Sequence, residues 1–139
     1  MDAAEALGPT WMSRLVEVLQ PVSVRGDRLA TTELFKGLER THLQVAASLL
    51  SDALVERGTR MTVQGTASTK LWVILEGQAL VSADARPIRV ASHGQVVGLT
   101  SMLLASTSPE TTIALTPIRA FEADPSQFRE LMNHAPLRS

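Results

Sequence analysis

The 139-residue chain has no cysteine, which excludes a disulfide framework and any thiolate metal site. Its histidines are few and scattered: His42, His93 and His134 give too little to build a catalytic metal centre. No apolar run approaches the roughly 20 residues that cross a bilayer. The start, Met1-Asp2-Ala3-Ala4-Glu5, is acidic where a secretory leader would be positive. A cytoplasmic location without membrane insertion is the expectation. An excess of one charge is also missing. Thirteen basic against 14 acidic residues leave a net charge of −1, and no basic run is present to track a phosphate backbone, so DNA is not an expected partner. What the chain does have is 45% hydrophobic and 19% charged residues, a composition that can bury a core. Its length fits one domain of the usual size, and two would be cramped.

The first third reads as helical. After Gly8-Pro9-Thr10, the residues Trp11, Met12, Leu15, Val16 and Leu19 recur at helical spacing up to Pro21. That stripe must cover either the main body or another polypeptide. Ser23 to Arg28 reads as a polar link and Thr31 to Gly37 as a short helix closed by glycine. A second helix runs from His42 to Leu50 behind Thr41 as N-cap. From Ala53 to Ala123 the texture changes to short aliphatic and β-branched runs punctuated by glycine. The strands expected are 54–57, 60–64, 71–76, 79–82, 88–91, 111–115 and 118–122. Leu71-Trp72-Val73-Ile74-Leu75 is apolar throughout, so it belongs at the centre of a sheet. Asp124-Pro125-Ser126-Gln127 opens a last helix as a capping box, with Phe128, Leu131 and Met132 as its apolar stripe and Pro136 as its stop. The fold class is α+β and mainly β: a jelly roll or β-roll (double-stranded β-helix) of short antiparallel strands, flanked by N-terminal helices and one C-terminal helix. Residues 1–32 would form a helical extension and 33–136 the roll.

Gly58, Gly65, Gly77 and Gly94-Gln95-Val96-Val97-Gly98 resemble the glycine ladder of the cyclic nucleotide-binding domain, the sensor of catabolite-activator-type regulators and cyclic-nucleotide-dependent kinases. Leu34-Phe35-Lys36-Gly37-Leu38 is similar to that family's opening segment, Leu71 to Gly77 to its central strand, and Phe128-Arg129-Glu130-Leu131 to the helix after the roll. The resemblance covers about Glu33 to Pro136. It implies a phosphate-binding cassette running from Gly98, Leu99, Thr100, Ser101 and Met102 to Glu110, Thr111 and Thr112. Glycine lets backbone approach an anion, and free N–H groups hold it. The family adds a glutamate for the ribose and an arginine for the phosphate. This chain has Leu99 and Glu110 at those places.

Replacing a buried charged partner typically costs ~2–5 kcal/mol of binding, and ~1.4 kcal/mol is tenfold. Ordinary recognition of cyclic AMP or cyclic GMP is therefore not expected. Leu99 and Met102 are read as filling the vacated pocket, with Glu110 on a solvated turn. An altered cassette built on Gly98, Leu99, Thr100, Ser101, Glu110, Thr111 and Thr112, taking a cyclic nucleotide or related metabolite, is the alternative. A Ser/His/Asp set can be drawn from Ser92, His93, Ser101 and Asp84, but no nucleophile elbow supports catalysis. No enzyme, cofactor or metal is expected. Only Leu137-Arg138-Ser139 follow Pro136, so the dimerising helix and DNA-binding motif of the family's transcription regulators are not in this sequence. The expected role is that of a regulatory, interaction-based module. Trp11, Met12, Leu15 and Leu19 would contact a protein partner or a second copy.

Overall fold

A computed structural model describes residues 22–134. The Trp11–Leu19 stripe and the stop at Pro136 lie outside the described residues. Helices α1 (Val22–Leu29) and α2 (Arg40–Leu49) precede strands β1 (Ser51–Val55), β2 (Arg60–Thr62), β3 (Leu71–Glu76), β4 (Ala79–Ala83), β5 (Arg86–Ala91) and β6 (Val96–Val97). Helix α3 (Leu99–Leu104), strands β7 (Thr111–Ala114) and β8 (Ile118–Ala123) and helix α4 (Pro125–His134) complete the described chain. The strands form two four-stranded antiparallel sheets, β1-β8-β3-β6 and β2-β7-β4-β5.

The central position of β3 explains its unbroken apolar run. Leu71, Val73 and Leu75 face a core shared with the helices, packing with Phe35, Ala46, Ala47, Phe121 and Leu131. Trp72 and Ile74, on the opposite face, pack between the two sheets with Val81, Ile118 and Ala120. Both faces of this strand are buried, so no position has to be polar. Strand β6, only two residues long, is too short to leave a periodicity in the sequence and was not expected.

Four expectations are corrected, three in the helical part and one at the first strand. The segment from Ser23 to Arg28 is helix rather than link, because α1 finds packing partners. Its Arg25 donates from Nη2 to the Leu50 carbonyl at 2.7 Å, stacks 5.0 Å over the Phe121 ring and lies 3.7 Å from Asp52. Burial lowers the pKa of Arg28 below its ordinary value, with Arg119 adding to the effect. Thr31 to Gly37 is a run of turns, not a helix, although Gly37 does take a positive φ of 86°. Helix α2 starts at Arg40 behind Glu39, which makes no side-chain cap, so Thr41 lies inside the helix. The first strand is displaced to Ser51–Val55, where it pairs with β8 in register Ser51 with Glu122 through Val55 with Ile118.

The turn after α1 is clasped to the roll. Glu33 N–H donates to the Gly94 carbonyl at 2.9 Å. His93 Nδ1 donates to the Leu75 carbonyl at 2.8 Å, and its Nε2 lies 3.1 Å from the Thr31 hydroxyl. At the other end, α4 opens on the capping box read from the sequence. Gln127 N–H donates to Asp124 at 2.8 Å, and the Asp124 N–H donates to Gln127 Oε1 at 2.9 Å.

Candidate functional site

One register row across the second sheet builds the floor of the site. Thr62 on β2 pairs with Thr112 on β7, Thr112 with Val81 on β4, and Val81 with Arg89 on β5. All four residues line a hollow of about 180 Å³ whose other walls come from Val96, Val97, Gly98, Leu99, Thr100, Ser101, Pro109 and Glu110. A neighbouring hollow of about 380 Å³ is lined by Glu33, Leu34, Arg89, Ala91, Gln95, Val96 and Leu99. The two share Arg89, Val96 and Leu99 and so form one trough with Arg89 at the divide.

Helix α3 enters this site through Gly98, whose φ is 90°. A Cβ there would stand 2.5 Å from the Lys70 carbonyl, so only glycine permits the close approach of the two backbones. Ser101 holds the helix down: its hydroxyl accepts from the Ser68 N–H at 2.9 Å and donates to the Ser106 carbonyl. Its donor and one acceptor position are engaged within the protein.

The structure brings Gly98, Leu99, Thr100, Ser101, Glu110 and Thr112 to the rim and walls of the smaller hollow. Thr111 is not among the residues that line it; its hydroxyl accepts from the Gln64 N–H at 2.9 Å. Leu99 and Met102 do pack partly buried against the helical core, yet a hollow remains beside Leu99. Filling of the pocket by these two side chains is therefore incomplete.

Glu110 is not on a free solvated turn. Arg89 Nη1 donates to Glu110 Oε2 at 3.0 Å and Nη2 to Oε1 at 3.1 Å, a two-pronged ion pair at the mouth of the hollow. The Glu110 backbone is fixed as well: its carbonyl accepts from the Thr62 hydroxyl at 3.0 Å and from the Ser108 hydroxyl at 2.7 Å. Thr62 and Thr112 hydroxyls lie 3.1 Å apart on the floor.

Arg89 is the residue lining the hollow that sequence reasoning missed. Hydrophobic alternation in Arg86-Pro87-Ile88-Arg89-Val90-Ala91 favours Ile88 and Val90 inward, whereas both are exposed, at 51% and 45%. A cation placed on the inner face between two exposed aliphatic residues is the signal, and it becomes visible only once the register with Val81 is known. The other candidates do not converge. Among the described residues there is no group of three or more His, Cys, Asp or Glu able to hold a metal ion. No described helix is long and apolar enough to cross a membrane. His134 lies 3.2 Å from Glu130 on α4, on an element that does not line the trough.

Comparison with known proteins agrees with this geometry. A family profile described as the cyclic nucleotide-binding domain matches residues 54–135. No curated protein matches the chain. Among solved structures, the cAMP-bound PfPKA-R is similar with a TM-score of 0.75 at 18% identity, covering 86% of this chain and 43% of that one. The regulatory subunit of a cAMP-independent protein kinase A from Trypanosoma cruzi, bound to guanosine, gives a TM-score of 0.70 at 19% identity, covering 80% and 40%. A cAMP-binding acyltransferase from Mycobacterium smegmatis gives 0.59 at 26% identity, covering 86% and 38%. The chain spans less than half the length of each of these three proteins.

Proposed function

Because the chain belongs to the cyclic nucleotide-binding domain family, we propose that it is a non-enzymatic regulatory module that does not take cAMP or cGMP in the family's usual way. The observation that supports this reading is the Glu110 carboxylate at the mouth of the cassette, held by both prongs of Arg89. A cyclic phosphate entering beside Glu110 meets a fixed negative charge, and the one Lys or Arg among the described residues lining the trough is already paired. Leu99 offers a ribose no hydrogen bond, which leaves its hydroxyls unpaired on that side. Residues 33–136 form the regulatory roll in this reading. Residues 1–32 form an extension whose Trp11, Met12, Leu15 and Leu19 contact a protein partner or a second copy.

A small-molecule sensor is the second reading, and the trough favours it, since a hollow persists on both sides of Arg89. The T. cruzi relative is bound to guanosine, a nucleoside without a phosphate. An uncharged ligand would not meet the repulsion at Glu110. Calorimetric titration of the purified chain with cAMP, cGMP and guanosine tests both. Heat from guanosine alone selects the sensor reading, and no heat from any of them selects the interaction module. Saturable micromolar binding of cAMP overturns the closed cassette.

A further inference from the structure

We propose that Arg89 is an oxyanion receptor and that Glu110 is its built-in occupant, a tethered carboxylate standing where a phosphate group of a ligand would otherwise be held. This rests on the reading of the cassette as closed, and it adds what closes it and what would open it.

Three independent features converge on Arg89. Its position is bought at a local cost: the register that turns it inward leaves Ile88 and Val90 in water, 51% and 45% exposed. A slip by one residue would bury both and expel the arginine. Second, among the described residues lining either half of the trough, Arg89 is the one Lys or Arg. Third, its contact with Glu110 is the parallel two-bond geometry, at 3.0 and 3.1 Å, with which a guanidinium also grips a phosphate. A carboxylate and a phosphate offer the same pair of oxygens to that fork, so one can displace the other.

Glu110 is supported as an occupant rather than as a chance neighbour. Its carbonyl is held by Thr62 and Ser108, and its own N–H lies 3.2 Å from the Ser108 hydroxyl, so the backbone that carries the carboxylate is fixed on both sides. The Arg89 side chain remains 46% exposed, which gives an incoming anion access to it. The ligand class is a phosphate ester that can insert its oxygens between Arg89 and Glu110. The internal pair competes with the ligand for Arg89 and lowers its apparent affinity by a constant factor, to which the repulsion between the carboxylate and the anion adds.

The test compares wild type with Glu110→Ala, Glu110→Gln and the double change Arg89→Ala/Glu110→Ala, each confirmed as folded by circular dichroism. Inorganic phosphate and cAMP are titrated separately by calorimetry. The inference expects both single changes to tighten binding of at least one probe by about tenfold or more, and the double change to abolish the gain. Phosphate and cAMP bound equally identify a simple oxyanion site, and cAMP alone identifies a site that also reads the nucleoside. Glu110→Gln, close in shape to the original, serves if the alanine variant does not fold. No gain in either single variant, with wild type also silent, overturns the inference and leaves the closed cassette standing. A gain that survives removal of Arg89 overturns Arg89 as the receptor. Micromolar cAMP binding by wild type overturns the closed cassette itself.

Discussion

Arg89 and Glu110 lie 21 residues apart in sequence, on β5 and just before β7, and they meet through two hydrogen bonds at the mouth of the cassette. The strand between them, β4, contributes the apolar side chain of Val81, so the pair bridges one apolar position of a floor that also carries the Thr62 and Thr112 hydroxyls. The arrangement inverts a simple reading of position 110. A carboxylate there does not only repel a phosphate, because it also occupies the nearest cation.

The pair should matter far more for ligand selection than for stability. Arg89 is 46% and Glu110 29% exposed, which places them among ion pairs screened by solvent. A double-mutant cycle of Arg89→Ala and Glu110→Ala, read by urea unfolding, should give a coupling of about 0.2–1 kcal/mol that shrinks at high salt. A coupling of several kcal/mol that salt does not change would mean the pair is a structural strut.

Self-association or capture of a partner should depend on the apolar stripe that precedes α1. Changing Trp11→Ala together with Leu15→Ala is expected to leave the far-ultraviolet spectrum of the roll intact. Any dimer detected by sedimentation velocity in the wild type should be lost, since aromatic anchors dominate such contacts. A dimer of unchanged affinity in the variant would remove the stripe as the interface.

Much of the fold was legible in the residues because the relevant signals are local. The uniform run Leu71–Leu75, the glycines at tight turns and the Asp124–Gln127 box each specify their own surroundings. The turn into α3 left a local signal as well, in Gly98. Arg89 was not, because its side is set by pairing with Val81 on another strand, and local alternation points the opposite way. Helix α1 was hidden for a related reason. Its Val22–Leu29 sequence is polar on average, and the contacts that stabilise it, such as Arg25 with Leu50 and Phe121, come from elsewhere in the chain.

Gln127 links three elements at once, and its loss should be felt accordingly. Besides its part in the capping box, its Nε2 donates to the Leu49 carbonyl at 3.0 Å and to the Ser51 hydroxyl at 2.8 Å, tying α4 to the junction of α2 and β1. Gln127→Ala should destabilise the protein by about 1–2 kcal/mol in thermal or urea unfolding. Asp124→Ala, which removes one capping acceptor, should cost about 1 kcal/mol. Equal and negligible effects of the two would show that α4 is held by its apolar face alone.

Gly98 and Gly58 share nearly the same φ, 90° and 87°, and differ in what surrounds them. A methyl group at Gly58 meets nothing within 4 Å, so Gly58→Ala carries only the backbone penalty, about 1 kcal/mol. At Gly98 the same methyl would press on the Lys70 carbonyl at 2.5 Å and on the Ser68 hydroxyl at 3.1 Å. Lys70 leads directly into β3 and cannot retreat without shifting the central strand, so Gly98→Ala should cost about 2–4 kcal/mol. Because α3 begins at the next residue, relief of that clash would also displace Leu99 and Thr100 from the wall of the hollow. Thermal unfolding of the two variants side by side separates these contributions. Equal destabilisation would mean that the close approach of Gly98 to Lys70 imposes no constraint, and that the cassette's entry is set by φ alone.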